Sequence, residues 1–318
     1  MSPAARDNHE EMMVVAAWMY YDDGLTHEQI ARELGISRVK VTRLLQKARQ
    51  EGIVQFRITK PLPIQYDLSR HLRNAFALKD ALVVKTRRSL DETLDTVGQA
   101  GAEHLREVLF PGCRLGMGWS TTVSRMAPYL EPPKVPVSCT VHELAGSMLG
   151  HANPYSISWL IAQTFGVPLE TLPVPVMVGS AAVRKALLQE ARIRTAFEHA
   201  CQCDIAYVGV GNVEPDSTMV HTGFLTQEQM HDLQQRGAVG DMLMRYYDAA
   251  GNQVPTPWDS RIISLEWDDI RRIPYIVVMA AGPAKVESLS GILLGGLCHC
   301  IITDTETAQS LLQRAVDR

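Results

Sequence analysis

Apolar positions along this chain recur at two spacings, and the change from one to the other divides it. From Leu25 to Val54 the sequence reads LTHEQIARELGISRVKVTRLLQKARQEGIV, with Ile30, Ala31 and Leu34, then Val39, Val41, Leu44, Leu45 and Ala48, as the apolar positions. Apolar residues three and four apart predict two short amphipathic helices, with these residues packed inward. Thr26 is placed to cap the first helix, which carries Glu28, Gln29 and Glu33 on its wet face. Gly35 supplies the backbone freedom for a turn, Ile36 an apolar plug between the helices, and Ser37 a cap for a second helix reaching Gln50. Beyond Gly52, the alternation through Ile53, Val54, Phe56 and Ile58 predicts a short β element placed as a wing, with Arg57 and Lys60 in reach of a phosphate.

The segment Lys60-Pro61-Leu62-Pro63 continues neither helix nor ladder, because proline lacks the amide donor and restricts its predecessor. It sets a boundary between a domain at 1–60 and one at 61–318. Ile64, Leu68, Leu72 and Phe76 then recur at helical spacing. After them, strand-like runs (81–84, 114–118, 137–144, 205–209, 275–280 and 300–303) alternate with helical patterns (91–109, 121–130, 157–165, 182–200, 226–235 and 286–294). Such alternation predicts an α/β domain with a largely parallel sheet covered by helices, and ligands at the carboxyl ends of its strands.

Charge sharpens the first domain. The 318-residue chain has a net charge of −4, yet Arg38, Lys40, Arg43, Lys47, Arg49, Arg57 and Lys60 concentrate on and just after the second helix. A cationic helix behind a capped turn reads as the recognition helix of a DNA-binding helix-turn-helix, beyond an ordinary solvated basic face. Ser37, Arg38, Lys40 and Thr42 are then nearest base edges or flanking phosphates, and Arg43 and Lys47 nearest the backbone.

Other classes of function recede. There is no apolar run of about 20 residues and no signal-peptide core, so a cytoplasmic protein without membrane contact is expected. Cys201 with Cys203, and Cys298 with Cys300, form two Cys-x-Cys pairs, but each opens a strand-like run. Residues two apart on a strand share a face without forming a tetrahedral site, so buried reduced thiols are expected and no metal or cofactor. His142, His151, His199 and His221 stand singly, with no catalytic set around them.

Three strand-to-helix loops carry candidate chemistry. Gly116-Met117-Gly118-Trp119-Ser120-Thr121-Thr122 offers hydroxyls beside a helix start, either as an anion site or as a plain cap. Gly209-Val210-Gly211-Asn212 closes a strand, and Asp241, followed by Leu243, is either an acceptor for sugar hydroxyls or a cap. In Ala280-Ala281-Gly282-Pro283-Ala284-Lys285, the lysine is placed to reach a phosphate or a sugar carbonyl, or to stand in solvent.

Taken in order, SRVKVTRLLQKARQEGIV, GMGWSTTV, CDIAYVGVGN, VGDMLMRYYDAAGN, AAGPAKVESLSGILLGG and IITDTETAQSLL resemble the SorC-type, sugar-binding transcriptional regulators over essentially the full length. The resemblance implies a winged-type helix-turn-helix module fused to a Rossmann-like effector domain related to the ribose-5-phosphate isomerase and glucosamine-6-phosphate deaminase folds. It also implies a homo-oligomer, commonly a tetramer, that binds operator DNA of a carbohydrate catabolic operon under a sugar, sugar phosphate or polyol effector, acting as a repressor or, as other family members do, as an activator. It implies that Ser120, Thr121 and Thr122 hold the effector's anionic end, that Lys285 contacts phosphate and that Asp241 binds hydroxyls. Gly211 and Leu243 complete that set, with Asn153 as a further polar contact. The loop departs from relatives where Pro283 replaces a glycine. The alternative is a sugar-phosphate isomerase or deaminase-like enzyme, which the fold resemblance suggests and the scattered histidines oppose.

Overall fold

A computed structural model describes residues 3–54, 63–133, 135–147 and 157–316. Its internal contacts divide the chain into two units, Met1–Pro61 and Leu62–Arg318.

The first unit holds three helices, α1 (Pro3–Tyr21), α2 (His27–Glu33) and α3 (Arg38–Gln50). The start of α2 is a reciprocal box in which Thr26 Oγ1 accepts the Gln29 amide at 3.4 Å and Gln29 Oε1 accepts the Thr26 amide at 2.8 Å. Gly35 sits at φ +62°, the left-handed turn conformation that side chains resist. Ser37 Oγ accepts the Lys40 amide at 3.2 Å and so caps α3. Met13, Ala16 and Ala17 from α1, Ile30 from α2, and Val41, Leu44, Leu45 and Ala48 from α3 form one core, with Ile36 partly buried against it. Helix α1 has no clear 3.6-residue signature, since MMVVAAWMYY is a continuous apolar run. Val39 departs from the sequence expectation. It is 62% exposed, because it falls on the far side of α3 from the four buried residues. Ile53 and Val54 pack partly buried on the core, while the rest of the expected wing, with Phe56, Arg57, Ile58 and Lys60, lies outside the described residues.

The second unit opens with α4 (Ile64–Phe76), which buries Leu68 and Leu72. Its seven-stranded sheet contains β1 (Asp80–Val84), β2 (Cys113–Met117), β3 (Cys139–Glu143), β4 (Leu169–Glu170), β5 (Ile205–Val208), β9 (Tyr275–Met279) and β10 (Cys300–Asp304). The strand order is β1-β10-β9-β5-β2-β3-β4 and the neighbours run parallel. A small antiparallel sheet of β6 (Gly211–Asn212), β7 (Ala238–Met242) and β8 (Arg245–Asp248) is inserted between β5 and β9. The helices are α5 (Leu90–Val108), α6 (Ser158–Phe165), α7 (Ala181–Gln189), α8 (Ala191–Ala200), α9 (Thr218–His221), α10 (Gln227–Gln235), α11 (Trp267–Arg272), α12 (Val286–Leu294) and α13 (Thr305–Val316).

Two helical expectations change. The 182–200 pattern is two helices, broken where Glu190 turns extended at ψ 126°. The 121–130 segment is a 3₁₀ helix over Val123–Tyr129 with Pro128 inside it, and proline cannot donate to the α-helical ladder. On one face of the large sheet, Leu115, Met117, Tyr207 and Val277 pack with Val97 and Leu105 of α5; on the other, Ala206, Val208 and Val278 pack with Met242, Leu289 and Leu311. Central strands covered on both faces are therefore buried throughout, as β5 and β10 are, and β5 (IAYV) is apolar at every position.

Strand order fixes where a ligand can sit. From β2 the chain proceeds outward to β3 and β4, whereas from β5 it proceeds the other way to β9 and β10. The reversal leaves a crevice at the carboxyl ends of β2 and β5, the place where open α/β sheets bind ligands. Among the described residues no helix is long and apolar enough to cross a membrane.

Candidate functional site

The DNA-facing candidates all lie on α3 or its cap. Arg38, Lys40, Arg43 and Lys47 are exposed. Lys47 pairs with Glu51 one turn on, at 3.3 Å. Besides Lys47, two more of the six side chains are already engaged. Ser37 Oγ is the helix cap, and Thr42 Oγ1 donates to Arg38 O at 3.1 Å and lies 3.2 Å from His27 Nδ1, tying α3 to α2. Thr42 therefore holds the two helices together, which sequence spacing does not reveal.

At the crevice, five segments separate in sequence converge on one pocket. Trp119, Ser120 and Thr121 follow β2; Gly209, Val210 and Gly211 follow β5; Asp241, Leu243 and Met244 come from the β7–β8 hairpin; and Lys285 follows β9, with Thr218 and Met219 of α9 completing the wall. Of the eight residues expected from sequence, Ser120, Thr121, Gly211, Asp241, Leu243 and Lys285 are brought together here. Thr122 is not. It is buried behind the loop, because the backbone turns into the 3₁₀ helix at that position. Asn153 lies outside the described residues.

Ser120 has two roles. Its Oγ accepts the Thr122 amide at 3.1 Å and so caps the turn, while the residue also lines the pocket. A methyl group added at Gly209 would collide with Ser120 Oγ, and one at Gly211 with Asp241 Oδ1. These two glycines therefore seat the polar groups against bare backbone. Asp241 Oδ2 accepts the Met244 amide at 3.1 Å. Leu243 and Met244, between the paired Met242 and Arg245, take φ of 55° and 62°. Two positive φ values in a two-residue loop are the geometry of a type I′ hairpin, which asparagine and glycine adopt readily and leucine and methionine do not. Backbone strain of this kind clusters at ligand sites.

Burial opposes charge on both ionisable groups of the pocket. Burial pushes the Asp241 carboxyl up to about 6, against the opposing pull of Lys285 and the Met244 amide. Burial holds the Lys285 ammonium below the usual lysine range, against the fields of Asp241 and Asp216. Tyr246, which faces Asp241 across the hairpin ladder, is buried, and among the described residues neither its hydroxyl nor the indole N–H of Trp119 has a hydrogen-bond partner. Pocket residues the sequence did not single out are Trp119, Thr218, Met219 and Met244. The first stands beside Ser120 in a loop already marked, whereas α9 arises from a segment with no clear period.

A second, larger depression of about 310 Å³ lies at the ends of β1 and β10, beside Arg87 and Arg88. Its helix-start amides are already satisfied: Glu306 and Thr307 donate to Asp304 Oδ1, and Gly282 to Thr307 Oγ1 at 2.9 Å. The smaller crevice pocket is the better ligand site on chemistry. All six cysteines are free thiols; His142 and His199, expected to stand singly, both approach Glu170, at 3.3 and 2.8 Å, yet among the described residues no group of histidine, cysteine and carboxylate side chains is arranged to hold a metal ion.

Residues 61–313 match the model of a sugar-binding domain family, and residues 15–64 match a Crp-like helix-turn-helix domain. The chain belongs to the SorC-type sugar-binding transcriptional regulators. Against this SorC-type chain, the deoxyribonucleoside regulator of Bacillus subtilis (strain 168) is 30% identical over 311 residues, covering 95% of this chain and 97% of its own. The sorbitol operon regulator of Klebsiella pneumoniae is 28% identical over 309 residues, covering 95% and 98%. The crystal structure of full-length SorC from Klebsiella pneumoniae matches with a TM-score of 0.75 at 28% identity, covering 95% of this chain and 98% of that one. The SorC-type regulators in these comparisons unite a DNA-binding unit with a sugar-binding unit. This chain is a sugar-responsive transcriptional regulator and not an isomerase or deaminase.

Proposed function

We propose that this regulator controls a carbohydrate catabolic operon, and that its effector, a sugar, sugar phosphate or polyol, occupies the crevice pocket. The observation that carries this reading is the convergence of Ser120, Thr121, Gly211, Asp241, Leu243 and Lys285 at the strand-order reversal. Ser120 and Thr121 receive the anionic or hydroxyl end, Asp241 accepts from sugar hydroxyls, and Lys285 donates to a phosphate or carbonyl oxygen. Relatives that share the architecture carry names tied to deoxyribonucleosides, sorbitol and erythritol, which supports a small polyhydroxylated effector for this chain.

Regulation follows from linkage. The protein works in the cytoplasm as a homo-oligomer, with a tetramer favoured by the family resemblance. An effector that prefers one arrangement of the assembly about a hundredfold shifts its equilibrium by about 2.7 kcal/mol. Release of a repressor from operator DNA is the sign we favour.

The test is thermal stabilisation of the full chain by a panel of sugars, polyols and their phosphates, since a ligand bound to the native state must raise the melting temperature. Hits among these compounds that disappear in Thr121→Val with Lys285→Ala support the pocket. Hits that persist unchanged in that double variant move the effector elsewhere. Hits confined to neutral sugars remove the phosphate role of Lys285.

A further inference from the structure

The recognition helix carries an exposed side chain that solvent gives no reason to keep. Successive residues step about 100° around an α-helix. In α3 the buried side is set by Val41, Leu44, Leu45 and Ala48. The direction opposite carries Val39, Arg43, Gln46 and Gln50, one above another, and all four are exposed. Lys40 and Lys47 lie along one flank of this stripe, and Arg38, Thr42 and Arg49 along the other.

The stripe and its flanks differ in chemistry. The flanks are mainly cationic, which suits the two phosphate backbones bordering a groove. The centre is apolar at its amino-terminal end, guanidinium one turn later and carboxamide after that. Single exposed apolar residues are common on surfaces. Val39, however, is β-branched, lies in the first turn of a helix that is otherwise polar wherever it is exposed, and occupies the middle of the outward face. The first turn of a recognition helix is the part that reaches base edges. Within the major groove, the apolar group a side chain can meet is the C5 methyl of thymine.

We propose that Val39 is a specificity-determining residue that reads a thymine methyl group in the major groove, with Arg43 reading a guanine further along the same face. This rests on the DNA-binding reading of the first unit and replaces the sequence-based division of labour, in which Arg43 met only backbone. Val39 and Arg43 are separated by about 6 Å along the helix, under two base-pair steps of about 3.4 Å. The thymine and the guanine are therefore neighbours or next neighbours. Arg43 is free to point outward because its helix neighbours carry the internal ties: Thr42 to His27, Lys47 to Glu51 and Arg49 to Tyr21.

The experiment uses duplexes enriched from a random pool by the full chain. Thymines in the enriched site are replaced one at a time by deoxyuridine, which removes the methyl and keeps the pairing edge. At one thymine per bound helix, affinity is expected to fall about three- to tenfold. Val39→Ala is expected to lose a similar factor on the parent duplex and to bind the thymine and uracil duplexes equally, with an unchanged melting temperature because the side chain is exposed. Uracil tolerated at every position, or methyl sensitivity fully retained in Val39→Ala, overturns the proposal. Failure of the full chain to enrich any sequence overturns the DNA-reading premise itself, and so is distinct from loss of the methyl contact alone.

Discussion

The two units of this chain encode function in opposite ways. In the first, the features that shape the reading surface lie within thirty residues, on a core completed by α1: the Thr26–Gln29 box, Gly35, the Ser37 cap and the cations of α3. In the second, the pocket draws on residues from 119 to 285, and no two of its five segments are adjacent in sequence. A surface made by one helix can be inferred from periodicity and caps. A cavity made by a sheet needs the strand order, which sequence spacing alone does not supply.

The contrast can be broken most sharply in the core of the first unit. Leu44→Ala empties a fully packed position and is expected to cost about 3–4 kcal/mol. It should abolish DNA binding while the thermal transition of the effector unit, followed by circular dichroism, stays in place. A joint shift of both transitions would mean that the units do not fold separately.

Asp241 gives the next largest effect. Its carboxyl, about 6 when folded, lies above the unfolded value, so folding favours the protonated form. Stability is then fully present below about pH 4 and falls by about 3 kcal/mol as pH rises through 6. Denaturant titrations from pH 4 to 7 should show this fall as the difference between the parent and Asp241→Asn, since burial also lowers His104, His142 and His299 and gives both proteins a shared rise with pH.

Gly211→Ala tests the close approach of backbone to Asp241. Effector affinity, measured by calorimetry with the most stabilising compound of the panel, is expected to fall about a hundredfold. Operator affinity without effector should change by less than about twofold. The smallest effect belongs to Ser37→Ala, which removes the α3 cap and should cost about 1 kcal/mol in urea unfolding. A loss confined to the first unit would sharpen the comparison.

How much was legible in the sequence follows the same division. The caps, turn and buried positions of α2 and α3 were readable because each depends on neighbours in the chain. Val39 was misplaced because it is apolar, and counting apolar residues does not say which side of the helix they take. Ser120, Gly211 and Lys285 were readable because each follows a strand, where the chain must turn. Asp241 was marked by its place after a glycine as either a hydroxyl acceptor or a cap, and the family resemblance chose between the two; the hairpin that carries it was not legible, since it lacks the Asn-Gly signal and turns instead on Leu243-Met244. Trp119, Thr218 and Met219 join the pocket only through tertiary packing.

The strand reversal between β2 and β5 has a mechanical meaning. The two strands are hydrogen-bonded neighbours, and the Gly118 amide extends that contact to Tyr207 O at 2.9 Å. Above that last rung the loops diverge, one leading to β3 and β4 and the other to the small sheet and β9. The crevice is thus a seam between two halves of one domain. A molecule lodged in it would touch both halves at once, as a stitch does.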